Sequence, residues 1–255
     1  MPSVAVLGAT GNLGQHVVRQ VLDRGWSLSV AVRNRGRLTP ETSARARVAD
    51  IDLNSASIEQ LSNFAEGHNV FVFCAGVVTE GEAFVRHFDK AVSAIEAIPR
   101  DRRPVCWFLA GAALLPLDAT GRRGVDLPKV RDTYWPHRKN FERLQESELD
   151  WRLLCPGPMV EQPALGLQRL RMSIDCLPTP LPAVGRVLPG LLLLPLFAMK
   201  IPEMIIPYAD AASVILANVE RGDSCSRHRI GVALPVGMKG KKDQWAAKPR
   251  GEGSY

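Results

Sequence analysis

Ser3-Val-Ala-Val-Leu-Gly8-Ala9-Thr10-Gly11-Asn12-Leu13-Gly14 takes an apolar run into a turn with three evenly spaced glycines. Gln15-His-Val-Val-Arg-Gln-Val-Leu22 follows, with Val17, Val18, Val21 and Leu22 forming one apolar stripe at helical spacing. A second apolar run then stops at Val30-Ala-Val-Arg33. Strand, glycine turn, helix and strand in that order make a βαβ unit of the kind that holds a dinucleotide. A diphosphate would sit against the helix N-terminus, where unpaired amides and the helix dipole attract negative charge. A side chain at Gly8 would obstruct the tight turn, one at Gly11 would hold backbone and phosphate apart, and one at Gly14 would push the helix off the strand. Gly25 suits the left-handed cap that ends the helix.

The rest of the chain continues the alternation. Arg47–Asp50 reads as a short strand, Ser57–Ala65 as a helix and Asn69–Gly76 as a strand apolar on both faces, as buried parallel strands are. Glu82–Ile98 reads as a helix, Val105–Gly111 as a strand, Pro136–Leu149 as a helix and Trp151–Cys155 as a strand. Ala211–Glu220 and Arg229–Leu234 supply a closing helix and strand. The fold class predicted is α/β, a doubly wound parallel sheet with a small C-terminal substrate-covering subdomain. Residues 1–160 form the nucleotide-binding core. Residues 161–236 form a Pro- and Leu-rich lid plus the closing helix and strand of the same domain, and 237–255 a mobile tail.

Composition narrows the function. At 255 residues, 46% hydrophobic and 23% charged, the chain is an ordinary soluble domain. Its net charge of +6 comes from scattered residues, so an anionic cofactor is expected rather than a nucleic acid. The odd, widely spaced cysteines (Cys74, Cys106, Cys155, Cys176, Cys225) fit reduced thiols and a cytoplasmic location, and no signal-like segment is read before the first strand. Val187–Lys200 is apolar but short for a membrane span and broken by Pro189 and Pro195, so it reads as a pocket wall, with contact at a membrane surface as the alternative. No metal constellation, hydrolase elbow or phosphate-cradling P-loop ending is present in the sequence. No metal is therefore expected.

The second strand chooses between cofactors. NAD-binding folds place an acid about 20 residues beyond the glycine loop to hold the ribose diol. This chain has Arg33-Asn34-Arg35 there, with Arg37 nearby. A guanidinium grips a 2′-phosphate that a carboxylate would repel, so NADP(H) is expected ahead of NAD(H).

With these residues the chain resembles the atypical short-chain dehydrogenase/reductases, in particular the NmrA-like and NAD(P)H-binding branch. The resemblance is carried by Val6–Gly14, Val32-Arg33-Asn34, Phe73–Gly76, Glu146–Pro158 with its Leu149-Asp-Trp and Pro156-Gly-Pro, and Ile206-Pro-Tyr-Ala-Asp210-Ala, over about residues 3 to 235. It implies that Gly8, Thr10, Gly11, Asn12, Leu13 and Gly14 wrap the pyrophosphate. Arg33, with Asn34 beside it, would meet the adenosine phosphate, and Asp50 and Ile51 would flank the adenine. Cys74, Ala75 and Gly76 would line the adenosine ribose, and Cys155, Pro156, Gly157 and Met159 the nicotinamide.

One departure stands out. Active members of the superfamily carry a serine after the fifth strand, then a tyrosine and a lysine four apart. Here the strand ends Leu109-Ala-Gly-Ala112, and Tyr134 is followed by Arg138, with Pro136 between them disfavouring a continuous helical turn. His137 becomes the first candidate proton donor, because imidazole titrates near neutrality. Tyr134 is the second, and Lys139 or Arg138 could hold a ribose or an anionic substrate. His16 and His87 lie among polar helix residues and read as bland positions, and Asp118, Asp126 and Asp132 as solvated loop acids. The function expected is an NADP(H)-dependent oxidoreductase acting on a small apolar or aromatic carbonyl or enone. The alternatives are a non-catalytic redox sensor and a cofactor-bound isomerase or cyclase. The partner expected is a small-molecule substrate, and the oligomeric state is open.

Overall fold

A computed structural model of the chain describes residues 1–182 and 188–241. In chain order its elements are β1 (Ser3–Leu7), α1 (Asn12–Asp23), β2 (Ser27–Val32), α2 (Pro40–Arg45), β3 (Arg47–Asp50), α3 (Ile58–Ala65), β4 (Val70–Phe73) and α4 (Glu82–Glu96). They continue as β5 (Val105–Leu109), α5 (Val130–Glu146), β6 (Trp151–Cys155), β7 (Met159–Val160), β8 (Arg171–Ile174), α6 (Gly190–Lys200), β9 (Ile206–Pro207), α7 (Tyr208–Ala217) and β10 (His228–Ala233).

Eight strands form one sheet in the order β3-β2-β1-β4-β5-β6-β10-β8, parallel except for β8 at the edge. The sheet alternates its side chains between two cores, as the two-residue period of a strand dictates. Ala5, Leu7, Phe71, Phe73, Phe108 and Leu153 pack on one face with α3, α4 and α5. Val4, Val6, Val30, Val72, Trp107 and Leu154 pack on the other with α1 and α7. The strand order reverses between β1 and β4, and in open α/β sheets the ligand crevice forms outside the strand ends at that reversal.

Several elements differ from the sequence reading. Helix α5 begins at Val130 rather than Pro136 and runs unbroken past the proline, correcting the expectation of an interrupted turn. Pro136 costs the amide that would reach the carbonyl of Asp132. Asp132 is exposed, so water can serve that carbonyl. Helix α6 likewise continues through Pro195. Helix α2 is set by Thr39, whose hydroxyl accepts from the Thr42 amide, and by Pro40 in the first turn, a start signal the sequence reading passed over. Helix α7 begins at Tyr208, three residues before the position read for it.

The apolar segment after β7 packs into the core beside α5. Leu177, Leu193, Phe197 and Met204 are buried in the cluster that holds Leu114, Leu115 and Phe141, and none of the described residues from 161 to 205 lines the cleft described next. The lid expectation also falls partly on residues 183–187, and the tail expectation on 242–255; both stretches lie outside the described residues.

Candidate functional site

A cleft of about 410 Å³ opens at the carboxyl ends of β1 and β4. Its floor is the glycine loop. The Gly8 amide lies on the left-handed side of backbone space (φ 93°), and a β-carbon there would stand 2.6 Å from the Cys74 carbonyl carbon. At Gly14 it would stand 2.1 Å from the Gly8 oxygen, closer than any real contact. These two positions admit only glycine, because the loop is pressed at once against β4 and against its own helix. Gly11 is the N-cap of α1, and the first turn contains no acidic side chain to neutralise its positive end. The leading amides of α1 have no intrahelical acceptor. A cradle of bare amides under a cleft of this size fits a diphosphate.

Gly8, Thr10, Gly11, Asn12 and Leu13 all line the cleft; Gly14 does its work beneath it. Arg33 and Arg37 line the far end of β2, and among the described residues neither pairs with a carboxylate. Arg35 is turned away: its Nε donates to both oxygens of Asp50, at 2.8 and 3.0 Å, and holds that carboxyl below its ordinary pKa. Asp50 therefore stays outside the cleft, while Ile51, Asp52, Leu53 and Asn54 form the wall next to it. Asn34 is a turn residue, its Oδ1 accepting from the Gly36 amide at 2.8 Å, which fixes the loop carrying Arg37.

Cys74, Ala75 and Gly76 form the β4 side. Burial pushes the Cys74 thiol up to about 12, so it stays protonated and unreactive at neutral pH. From the end of β6 only Met159 reaches the cleft. Cys155 is fully buried, the Pro156 carbonyl accepts from the Ala112 amide at 2.7 Å, and Gly157 is packed so closely that a β-carbon would stand 2.6 Å from the Met204 oxygen.

The α5 candidates stand behind the cleft wall. His137 is 8% exposed, its Nδ1 has no hydrogen-bond partner among the described residues, and burial lowers its pKa to about 4. Its ring meets Phe84 edge-on at 5.8 Å, and Phe84 in turn backs Gly76. Tyr134 stacks on the other side of His137 at 6.0 Å and is 37% exposed. Lys139 is exposed. None of the three lines the cleft. Asp118 and Asp126 pair with Arg122 and Arg123 away from it.

Sequence reasoning assigned no site role to Glu80, Leu109 and Tyr208 and read His87 as a bland position, yet all four line the cleft. His87 is held by Asn54, Nε2 to Oδ1 at 3.1 Å, and burial lowers its pKa. The contact spans 33 residues, so no local pattern signals it. Among the described residues no cluster of three His, Cys, Asp or Glu side chains could hold a metal, and no helix is long and apolar enough to cross a membrane.

A family model described as NAD(P)H-binding matches residues 8–175. None of the curated proteins matches the chain. Among solved structures, a candidate exported protein from Burkholderia pseudomallei is 19% identical, with 92% of this chain and 100% of that one covered at a TM-score of 0.66. A candidate NADH-flavin reductase from Streptococcus pneumoniae is 16% identical over 92% and 100% of the two chains, also at 0.66. A Rossmann-fold NAD(P)-binding family protein from Shigella flexneri is 15% identical over 95% and 98%, at 0.63. At such identities the likeness shows the fold: an open, mostly parallel sheet of the Rossmann type.

Proposed function

The chain belongs to the NAD(P)H-binding family, and from that premise we propose that it is an NADP(H)-dependent oxidoreductase acting on a small apolar or aromatic carbonyl or enone. The observation that carries the cofactor choice is the pair Arg33 and Arg37, lining the cleft at the end of β2 and, among the described residues, in no ion pair with a carboxylate. Asp50 is engaged by Arg35 outside the cleft, and Asp52 stands in the cleft wall without pairing with either arginine. Two uncommitted guanidiniums suit a 2′-phosphate, whereas a ribose diol asks for an acceptor.

The bound cofactor would supply the hydride. The chain's own part is to bind and orient. The α1 amides hold the diphosphate, Arg33 and Arg37 hold the adenosine phosphate, and Leu109 and Met159 give the opposite end an apolar surface that excludes water. A buried imidazole lowered to about 4 is neutral at pH 7. His137 then serves to position Tyr134 by stacking, and Tyr134, partly exposed and outside the cleft lining, is the α5 residue that would give a proton to the oxygen of a substrate extending beyond the cleft wall. Lys139 would meet an anionic group at the rim.

A second reading, a dinucleotide-holding sensor without turnover, is favoured by one observation: no ionisable side chain of α5 lines the cleft. Steady loss of NADPH absorbance with a panel of quinones, aldehydes and flavins supports the oxidoreductase. Tight binding with no consumption on any of them, and no effect of Tyr134→Phe, supports the sensor.

A further inference from the structure

Tyr208 lines the cleft beside the end of the glycine loop although it lies 196 residues after Asn12 in the chain. Two contacts fix its place. The pairing of β7 with β9 sets Met159 beside Ile206 and Val160 beside Pro207, so Tyr208 starts α7 next to the Met159 wall. Its ring also lies flat on His16, with centroids 6.0 Å apart and planes 11° from parallel, and His16 is itself held by Glu161 at 3.1 Å. The ring is buried, yet the residue reaches both the cleft and Asn12.

Asn12 Nδ2 donates to the Tyr208 oxygen at 3.2 Å. An amide nitrogen donates only, so this bond occupies an acceptor site of the hydroxyl and leaves its own hydrogen uncommitted. Asn12 is the first residue of α1, so the free O–H stands one hydrogen bond from the helix end where anionic oxygens collect. We propose that the Tyr208 hydroxyl donates to a diphosphate oxygen of the bound dinucleotide, and that the cradle is thus closed by a side chain from the C-terminal part of the chain. The proposal rests on the reading of the cleft as a dinucleotide site and names a ligand within it.

Tyr208→Phe keeps the ring on His16 and removes the hydroxyl, which is both the donor in question and the acceptor that Asn12 Nδ2 uses. Calorimetric titration of the full chain with NADP+ and with ADP-ribose, which keeps the diphosphate and lacks the nicotinamide, provides the test. A lost hydrogen bond to a charged oxygen should raise both dissociation constants by about tenfold or more. The melting temperature of the ligand-free variant should match the wild type. If NADP+ weakens while ADP-ribose binds as before, the hydroxyl serves the nicotinamide or the 2′-phosphate, the two groups that ADP-ribose lacks, and the proposal falls; it falls equally if neither ligand weakens. If the wild-type chain binds neither ligand, the dinucleotide reading itself has failed, an outcome separate from the other two. Should Tyr208→Phe not fold, Asn12→Leu removes the group that holds the hydroxyl. Weakening of both ligands by a smaller factor then supports the proposal, and unchanged affinity for both overturns it.

Discussion

Protonating His137 should cost the fold a calculable amount. The ring is wedged between Phe84 and Tyr134 with Nδ1 unpartnered, and burial lowers its pKa from 6.5 to about 4. Between those values the unfolded chain binds a proton that the folded chain refuses. Stability from the neutral ring is therefore complete above pH 6.5 and is lost as pH falls through the window down to 4. At 1.36 kcal/mol per pKa unit the whole loss is about 3 kcal/mol, most of it gone by about pH 4.5. The comparison is wild type against His137→Phe, whose ring fills the same aromatic stack and carries no proton. Urea unfolding followed by circular dichroism at pH 7 and pH 4.5 gives both stabilities. Carboxylate protonation is common to the two proteins and cancels. The wild type should lose about 2–3 kcal/mol more than the variant over that interval. Equal losses would refute the argument, since they would mean that the folded chain takes up the proton as readily as the unfolded one.

Other outcomes follow from the same geometry. Gly14→Ala places a methyl 2.1 Å from the Gly8 oxygen, so it should destabilise by about 1–3 kcal/mol and abolish dinucleotide binding in a calorimetric titration. Arg33→Ala should weaken NADP+ far more than NAD+, by about 1.5–3 kcal/mol for a lost bond to a charged group; equal weakening would remove the case for a 2′-phosphate. Arg35→Ala breaks the exposed pair with Asp50 and the bond to the Val48 carbonyl, so the melting temperature should barely move and the NADP+ affinity should hold. Asp210 is fully buried and its carboxylate accepts from the Leu165 and Gly166 amides at 2.8 and 3.0 Å, so Asp210→Ala should cost about 2–3 kcal/mol in chemical denaturation.

The sequence exposed the parts of the molecule that are written locally. Gly8, Gly11 and Gly14 announce the loop because their reasons are backbone conformation and close approach, which glycine alone meets. The central strands declare themselves because both faces are buried, and an apolar run such as Val70–Phe73 has few other uses. What stayed hidden depends on partners distant in the chain. Asp50 looks like an adenine neighbour until Arg35 is seen to hold it outside the cleft. Pro136 looks like a helix start until the six residues before it join the same helix through contacts with the loop at Gly124–Asp126 and with α4. His137 carries the residue type of an acid catalyst, and only its burial shows an imidazole that stays neutral. Tyr208 stood in a stretch that carried the resemblance but gave no signal of a site role, because its neighbours Asn12 and His16 lie some 190 residues earlier: Asn12 is 196 positions away.

That separation bears on how the molecule is born. The outer side of α1 shares one apolar cluster with Ala211, Ala212, Val214 and Ile215 of α7, and Gln20 is tied to the Ala209 carbonyl and the Ser213 hydroxyl. The βαβ unit leaves the ribosome long before the helix that covers its greasy flank. Until α7 docks, a nascent chain carries an uncovered oily stripe beside an unfinished pocket. Competence to hold a nucleotide should consequently arrive late and all at once, after translation has passed α7, and truncated chains ending before it should aggregate rather than bind.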